Sequence, residues 1–372
     1  MREWNRLTWG EVSDLRYGKA LRGYKDGNGA TQVFGTNGPI GYTAEEPLAM
    51  GPRPVVGRKG AYRGVHLADG PFWVIDTAYW LVPRAGLDPV FAYYALLGVD
   101  INGMDSGSAL PSLTRDHFYR VPLTLPPLEE QKRIAGVLRA FDDLIETNRR
   151  LIESLDQTAT YRADQLANGA GGDSLKFADV ADIGGGGTPS TKIDSYWGGV
   201  HPWATPKDIT ALPSRYIFDT TRKLTDAGLA KCSSPLRPVG SILMTSRATV
   251  GEFALAKVPL AVNQGFIVVN GETPADTTWL YFEMRRRTPE FKTIAAKGST
   301  FPEISRREFR ALDVHWPESR LRQQLHREVA PLLGGAAELE SEVASLTAQR
   351  DELLPLLMSG KVRVRDVEAA VL

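Results

Sequence analysis

Polar and basic side chains are concentrated in several loops of the sequence, next to glycines that allow close approach to another molecule. Arginine and lysine bind phosphate groups, and asparagine and glutamine pair with adenine through two hydrogen bonds. These residue types favour contact with nucleic acid, although for any single one a solvated charge or a turn residue is the simpler alternative. The candidate DNA-binding residues are Asn37, Arg58, Lys59, Arg63, Thr188, Lys192, Lys207, Arg247, Asn263 and Gln264.

Catalytic signatures are hard to find in the sequence. The five histidines do not fall at a metal-binding spacing, and neither a Gly-x-Ser-x-Gly elbow nor a P-loop occurs. The run Gly184–Gly187 lacks the spacing and the lysine of a nucleotide-binding loop. The Asn/Asp-Pro-Pro-Tyr/Phe signature of amino-methyltransferases is also missing. We therefore expect a binding protein that is not an enzyme and holds no metal or cofactor of its own.

One segment of the chain occurs twice. "SGSALPSLTRDHFYRVPLTLPPLEEQKRI" begins at Ser106, and "KGSTFPEISRREFRALDVHWPESRLRQQL" begins at Lys297. Gly107 matches Gly298 at a separation of 191 residues, and the other matched positions of the two segments are equally far apart. A repeat of this length predicts one architectural unit used two times. Two copies suit a pseudo-two-fold molecule that holds two similar domains apart.

A heptad pattern follows each copy of the repeat. Apolar residues recur at alternating steps of four and three, as the seam of a coiled coil requires. The pattern keeps the same phase in both copies, which favours paired helices over two ordinary core faces. Chain order then requires an antiparallel pair, which would serve as a spacer with a domain at each end. The predicted interface comprises Ile134, Leu138, Phe141, Ile145, Asn148, Ile152, Leu155, Leu325, Val329, Leu332, Leu339, Val343, Leu346 and Leu353.

Several residues interrupt or end this pattern. A buried Asn148 would fix register at a cost in stability, or it would mark a place where the helices splay and water enters. The glycine-rich stretch after Asn168 predicts the end of the first helix, and Gly360 predicts the end of the second. Pro331 and the pair Gly334–Gly335 predict a kink or an interruption near the start of the second helix.

The composition is that of a globular protein of two or three domains. Cys232 is the only cysteine, which excludes a disulfide framework and suits a reducing compartment. No apolar run approaches 18 residues, so we expect a soluble, cytoplasmic protein. The net charge is zero, with +1 in residues 1–128, +3 in residues 167–317, −2 and −3 in the two helical segments, and +1 in the tail. Such a small positive excess predicts weak DNA binding by this chain alone.

The regions before each repeat share an order of strand, loop, strand and helix. "PRPVVGRKG", "PFWVIDTAYWLV" and "DPVFAYYALLGV" in the first copy correspond to "GSILMTSRATVG", "PLAVNQGFIVV" and "TTWLYFEMRRRT" in the second. This order aligns Gly51 with Gly240 and Arg58 with Arg247. Upstream the loops differ, which predicts one scaffold with two different ligands. Trp197 and Trp203 favour packing over base stacking, and Arg285–Arg287 favour the polar end of a helix, with phosphate contact as the alternative.

The segment "LTLPPLEEQKRIAGVLRAFDDLIETNRRLIESLDQTATYRADQL" resembles the central conserved region of the specificity subunits of Type I restriction–modification systems. "GTPSTKIDSYWGGVHPWATPKDI", "VFGTNGPIGY", "VVGRKGAYRGVHL", "WVIDTAYWL" and "LLMSGKVRV" also resemble recurrent segments of that family. The resemblance covers nearly the whole chain. The second helical segment, "WPESRLRQQLHREVAPLL", matches less well.

The resemblance implies a chain without a catalytic centre, in which two target-recognition domains each recognise one half of a bipartite DNA sequence. The helices set the gap between the halves. Two modification subunits that carry S-adenosylmethionine would dock on the helical region and methylate adenine after base flipping. Restriction subunits would add ATP-driven translocation and cleavage.

We therefore predict an α+β fold of two similar α/β target-recognition domains, separated by two long helices that form an antiparallel coiled coil. The domains are expected at residues 1–127 and 169–317, the helices at 128–168 and 318–360, and a tail at 361–372. The alternatives are a coiled-coil adaptor whose end domains bind protein or another ligand, and, with less support, a fused enzyme.

Overall fold

The computed structural model describes residues 4–25, 27–104, 111–296 and 302–364. Two compact units divide the chain. Unit 1 comprises residues 1–145 and 345–372, and unit 2 comprises residues 146–344. Each unit combines one α/β domain with part of each of two long helices. The matched glycines of the repeat, Gly107 and Gly298, lie outside the described residues.

The domain of unit 1 is built from short strands and three short helices in its described part. The helix α2 shows how local sequence sets an end, because the Asp88 side chain accepts hydrogen bonds from the amides of Val90 and Phe91 and Pro89 occupies the first turn. The elements are β1 (Asn5–Thr8), α1 (Trp9–Val12), β2 (Ser13–Tyr17), β3 (Thr31–Gly35), β4 (Gly38–Thr43), β5 (Ala49–Met50), β6 (Arg53–Gly57), β7 (Val65–Ala68), β8 (Pro71–Val74), β9 (Ala78–Pro83), α2 (Pro89–Leu97), α3 (Arg115–Tyr119) and β10 (Pro122–Leu125).

The first long helix, α4 (Leu128–Ala167), leads into unit 2. The domain of unit 2 has the same kinds of elements with longer connections. They are β11 (Asp173–Lys176), α5 (Phe177–Val180), β12 (Ala181–Gly184), a 3₁₀ turn (Asp194–Tyr196), β13 (Trp197–Ala204), α6 (Pro206–Thr210), β14 (Tyr216–Ile217), β15 (Arg222–Leu224), α7 (Asp226–Lys231), β16 (Ile242–Thr245), β17 (Phe253–Ala256), β18 (Ala261–Val262), β19 (Phe266–Gly271), α8 (Pro274–Arg286), α9 (Thr288–Ala296), α10 (Arg306–Ala311) and β20 (Asp313–Trp316). The second long helix, α11 (Ser319–Met358), follows.

The two domains share one topology. In unit 1 the antiparallel sheet has the order β2-β9-β6-β7, and in unit 2 the order β12-β19-β16-β17 is extended by β14. A second sheet in each unit contains one parallel pair, β3 with β8 and β13 with β18. The first and last strands of each domain pair with each other, β1 with β10 and β11 with β20. The predicted duplication of the scaffold is confirmed at the level of strand order.

The strand register corrects the residue correspondence that the sequence indicated. The Leu113 amide donates to the Arg58 carbonyl, and the Ile304 amide donates to the Ser246 carbonyl. Isolated bridges then join Lys59 to Ser112 and Arg247 to Glu303. Lys59, and not Arg58, is therefore the equivalent of Arg247. The same displacement holds along β6 and β16, where Val55 pairs with Trp80 and Leu243 pairs with Val268.

The long helices pair antiparallel within each unit. In unit 2, Arg162 of α4 bonds Glu328 of α11, while Leu155, earlier in α4, faces Gly335, later in α11. In unit 1, Asp142 bonds Arg350 at 2.6 Å, and Leu357 packs in the same apolar cluster as residues 134–138. The cluster continues into the domain through Trp9 and Phe118, so one core holds the helix ends and the domain together.

Most of the predicted interface is buried. Ile134, Leu138, Ile145, Asn148, Ile152, Leu325, Val329 and Val343 are buried, whereas Phe141, Leu155, Leu332, Leu339, Leu346 and Leu353 are half-buried. In α11 the neighbours Leu333 and Glu340 are more buried than Leu332 and Leu339. The seam of α11 therefore shifts by one residue in that stretch.

The prediction of an interrupted second helix is wrong. α11 runs without a break through Pro331 and Gly334–Gly335. Pro331 is exposed, so water can reach the carbonyl that its missing amide leaves free. Gly335 faces Leu155, and Ala336 is fully buried, so small side chains let the two helices approach closely. The predicted helix ends are confirmed, because Gly169 and Gly360 have φ values of 81° and 69° directly after the helices.

Candidate nucleic-acid interface

Four segments of unit 2 meet around a cleft of about 560 Å³. They are the loop after β16, the turn before β19, the end of β12 and the start of α10. Backbone hydrogen bonds from Ser246 to Gly265 and from Ile304 to Ser246 hold three of these segments together. We call this the unit 2 cleft. It is lined by Ile183, Ser246, Arg247, Gln264, Phe266, Glu303, Ile304, Ser305, Arg306, Arg307 and Arg310.

The glycine run that follows β12 packs against this cleft. A Cβ atom on Gly184 would lie 2.0 Å from Nη2 of Arg237, and one on Gly185 would lie 2.9 Å from Cδ of Arg306. A Cβ on Gly186 would lie 1.8 Å from the carbonyl oxygen of Val262. At Gly186 only glycine fits, because an added Cβ would meet backbone, whereas at Gly184 and Gly185 it would displace the outer part of an arginine side chain. The run therefore makes room for two arginine side chains and a neighbouring strand, which explains it without a bound nucleotide.

The charge of the cleft is strongly positive. Burial lowers the pKa of Arg237, Asp182 opposes this, and the like charge of Arg306 adds to the lowering. Arg247 is paired with Glu303 at 2.8 Å. The Glu308 carboxylate accepts from the hydroxyl and amide of Ser305, which holds its pKa below the usual range. The carboxylates near the cleft are thus engaged, whereas Arg306, Arg307 and Arg310 are exposed and have no ion pair among the described residues.

Unit 1 places other side chains at the equivalent positions. Arg58 donates to the carbonyl of Asp76 at 3.0 Å, and its guanidinium carbon lies 5.0 Å from the ring centre of Tyr17. Arg115, the first residue of α3, lies 4.6 Å from the same ring. Lys59 bonds the Asp76 carboxylate at 3.3 Å. We call Tyr17, Arg58, Lys59, Asp76 and Arg115 the unit 1 face. Burial, followed by a hydrogen bond with Tyr17, raises the pKa of the neighbouring Tyr79 to about 12.

The structure brings some predicted residues together and separates others. Gln264 accepts a hydrogen bond from Thr188 at 2.7 Å, beside the paired Arg247. The side chain of Asn263 accepts from the Gly265 amide, so it shapes the turn. Asn37 is exposed between β3 and β4. Lys192 and Lys207 are exposed outside the residues that line the unit 2 cleft.

Arg63 is corrected from a candidate DNA contact to a structural residue. Only 4% of it is exposed. Its guanidinium donates to the carbonyls of Gly60, Ile101 and Asn102, which ties the loop after β6 to the loop after α2. Because the guanidinium of Arg63 is buried and already donates to three carbonyls inside the domain, few of its donors could bind an external phosphate.

Sequence reasoning missed the three arginines of α10 and the exposed Tyr62. Arg306, Arg307 and Arg310 lie in the repeat. The matched apolar positions of "TRDHFY" and "SRREFR" are a stronger signal there than the difference in charge between the two segments. Tyr62 is 81% exposed in the loop after β6. An aromatic side chain in a glycine-flanked loop next to two basic residues was the available signal.

The remaining alternatives are decided by packing. Arg286 bonds Asp164 and Arg287 bonds Glu290, while burial lowers the pKa of Arg285, so these arginines brace the end of α8. The rings of Trp197 and Trp203 pack edge to face, 5.0 Å apart. In the described part of the chain, no group of three His, Cys, Asp or Glu residues could hold a metal ion, and no helix is long and apolar enough to cross a membrane.

Arginine side chains, amides and hydroxyls around an open cleft can bind phosphate oxygens or the edges of bases. The positions are equivalent in the two units, while the side chains differ. This arrangement suits two ligand segments that belong to the same chemical class but differ in their detailed structure.

Comparisons with known proteins identify relatives of the chain and of its fold. The family model described as the Type I restriction modification DNA specificity domain matches residues 1–157 and again residues 173–328. The specificity subunit of the type I restriction enzyme MjaIX of Methanocaldococcus jannaschii is 37% identical over 154 residues, which are 41% of this chain and 36% of that protein. The HindI specificity subunit of Haemophilus influenzae is 22% identical over 375 residues, with 78% and 81% covered.

The chain spans little more than a third of the length of two of these relatives, 36% of the MjaIX subunit and 37% of the EcoprrI subunit of Escherichia coli. The crystal structure of a Type I restriction–modification S subunit from M. genitalium matches 95% of this chain and 96% of its own, with a TM-score of 0.71 and 18% identity. At that identity the likeness is one of fold.

Proposed function

Because the chain belongs to the family of Type I restriction modification DNA specificity domains, we propose that it recognises a bipartite DNA target. The unit 1 domain binds one half of the sequence, and the unit 2 domain binds the other. The observation that carries this proposal is the difference between the unit 1 face and the unit 2 cleft at equivalent positions of one topology. A shared scaffold with unlike contact residues gives two different sequence preferences in one molecule.

The chain supplies recognition, and partner subunits supply the chemistry. Two modification subunits dock on the helical region, bind S-adenosylmethionine and methylate adenine at each half-site after flipping it out of the duplex. Restriction subunits that use ATP complete the complex. The net charge of zero supports the proposal, because an isolated chain without a net positive charge needs partners to hold DNA firmly.

A domain exchange tests the division of labour. Residues 1–127 are replaced by the corresponding domain of another family member, and the chain is expressed with its modification subunits. Mapping of methylated adenines should show one changed half-site and one unchanged half-site. If both half-sites change, or neither does, recognition is not divided between the domains.

The two long helices are proposed to set the distance between the half-sites. Asp142 of α4 bonds Tyr94 in the domain of unit 1, and Asp156 of α4 bonds Tyr216 in the domain of unit 2. One heptad inserted after Thr147, together with one after Ala344, lengthens both helices in register between these contacts. The methylated motif should keep its half-sites and gain a longer gap. An unchanged gap in a folded, active variant contradicts the spacer role.

A further inference from the structure

The three arginines of α10 are an uncompensated cluster of charge. Arg306, Arg307 and Arg310 are exposed along one short helix, and the described residues give none of them a carboxylate partner. Arg237 lies close enough to Arg306 for the like charge to lower its pKa. Cations held together without a counter-charge favour binding of an anion.

The helix itself is fixed firmly enough to aim these side chains. Phe309 is fully buried and stacks on Phe177 with ring centres 4.5 Å apart. Ser305 caps the helix through the amide of Glu308, and the Glu308 carboxylate bonds Ser305 in return. The amides of Ser305 and Glu308 are therefore satisfied within the protein. It is the guanidinium groups that remain to bind a ligand.

Unit 1 does not repeat this charge. The matched helix α3 has Arg115, Asp116 and Tyr119 where α10 has the three arginines. Arg115 lies against the ring of Tyr17, and the Tyr119 hydroxyl accepts from the Leu15 amide. The three positions carry no net charge in unit 1 and three positive charges in unit 2. The backbone frame is shared, so the difference lies in the side chains alone.

We propose that the unit 2 cleft binds backbone phosphates of duplex DNA through Arg306, Arg307 and Arg310, and that unit 1 has no equivalent contact. This inference depends on the proposed function, since it names the ligand of that function as DNA. It adds that the two half-sites are held by different means. Unit 2 supplies the larger share of the sequence-independent, salt-dependent affinity, and unit 1 supplies less.

The test measures binding of the full chain to a fluorescent duplex that carries the methylated motif of the host, by anisotropy at several salt concentrations. Each phosphate contact contributes about 0.9 to the slope of log K against log salt. The variant Arg306→Gln/Arg307→Gln/Arg310→Gln should lower the slope by about 2 to 3. Its preference for the motif over a duplex with a mutated half-site should be retained, because phosphate contacts carry no base information.

Matched variants separate this contact from general charge. Arg320→Gln/Arg327→Gln/Lys292→Gln removes the same charge from unit 2 outside the cleft and should leave the slope unchanged. The corresponding triple lysine variant of α10 keeps the charge and should keep most of the slope. Arg115→Gln should lower it by about one at most. The single variant Arg310→Gln, with an expected loss of about one, serves if the triple glutamine variant does not fold.

The outcomes distinguish the two proposals. If the α10 variant keeps the wild-type slope, or loses no more than the control variant, the cleft is not a phosphate site, whatever the sequence preference. If Arg115→Gln lowers the slope as much as the triple variant, the asymmetry is refuted. If the wild-type chain and its modification complex show no preference for the motif, the proposed function fails, even where the slopes differ as expected.

Discussion

Asp142 joins the domain of unit 1 to both of its helical segments. One carboxylate oxygen accepts a hydrogen bond from the hydroxyl of Tyr94 in α2 at 2.6 Å, and the other accepts from Arg350 in α11 at 2.6 Å. Burial, followed by the hydrogen bond to Asp142, raises the pKa of Tyr94 above its usual range, and the protonated phenol is the donor. A single side chain in α4 therefore connects three elements.

Removing this carboxylate should loosen the domain from the helices. A hydrogen bond to a charged group contributes about 1.5–3 kcal/mol, and Asp142→Ala removes two. Because 28% of the Asp142 side chain is exposed and water can replace part of each bond, we expect a loss of about 2–3 kcal/mol. Asp142→Asn keeps one acceptor and should lose about half as much.

Hydrogen exchange read by mass spectrometry measures this loss locally, which suits a chain of two units that need not unfold in one step. The free energy of opening of α2 should fall, while that of α8 in unit 2 serves as an internal reference. Asp143→Ala is the control, since that side chain is 70% exposed and lies 3.8 Å from Arg139. The change there should stay within about 0.5 kcal/mol.

Combining Asp142→Ala with Tyr94→Phe should cost less than the sum of the two single changes, because both remove one hydrogen bond. If the amides of α2 are no less protected in Asp142→Ala than in Asp143→Ala, the hydrogen bonds of Asp142 contribute little to the stability of α2, and the reasoning is refuted. Additive effects of the two variants would likewise show that the contact is energetically unimportant.

Three further predictions concern stability. Asn148→Leu should raise the free energy of unfolding of unit 2 by about 1–2 kcal/mol in denaturant titrations, because Nδ2 of the buried Asn148 lacks a partner among the described residues; a loss would mean that water or a partner satisfies it. Gly335→Ala should raise the free energy of unfolding, measured by thermal melting, by about 0.5–1 kcal/mol, because alanine has the higher helix propensity and its Cβ would lie 3.7 Å from Leu155. A decrease would show that the helices need closer contact. The pKa of Tyr79 is raised to about 12, so the unfolded state ionises first and the stability of unit 1 should fall as pH rises from about 10 to 12; Tyr79→Phe should lessen that fall, and an equal fall in both proteins would refute the assignment.

The sequence predicted those features that repeat with a clear period. The seam from Ile134 to Ile152 is recognisable because apolar residues at steps of four and three must face a partner. The matching strand order of the two domains follows from β-branched runs between glycines and prolines. The helix stops at Gly169 and Gly360 follow from the conformation that glycine alone adopts readily.

Features that depend on distant contacts were not predictable in the same way. Arg63 is buried because carbonyls near Asn102 surround it, and no local pattern announces that. Pro331 and Gly335 lower helix propensity locally, but packing against α4 in unit 2 outweighs them. The one-residue shift between Arg58 and Lys59 is a matter of strand register, which a sparse alignment of loops does not fix.

The pair of short helices α3 and α10 shows why a duplicated scaffold can acquire two specificities. Phe118 and Phe309 are both fully buried, and Thr114 and Ser305 both cap their helices. These apolar and capping positions hold each helix in its place, so they are matched in the two copies. The exposed positions are not needed for packing, and there the two copies differ. Asp116 in α3, for example, corresponds to Arg307 in α10. Charge can therefore change at the contact surface without moving the backbone that presents it. For that reason the repeat located the scaffold, whereas the proposed ligand contacts lie at the mismatches within it.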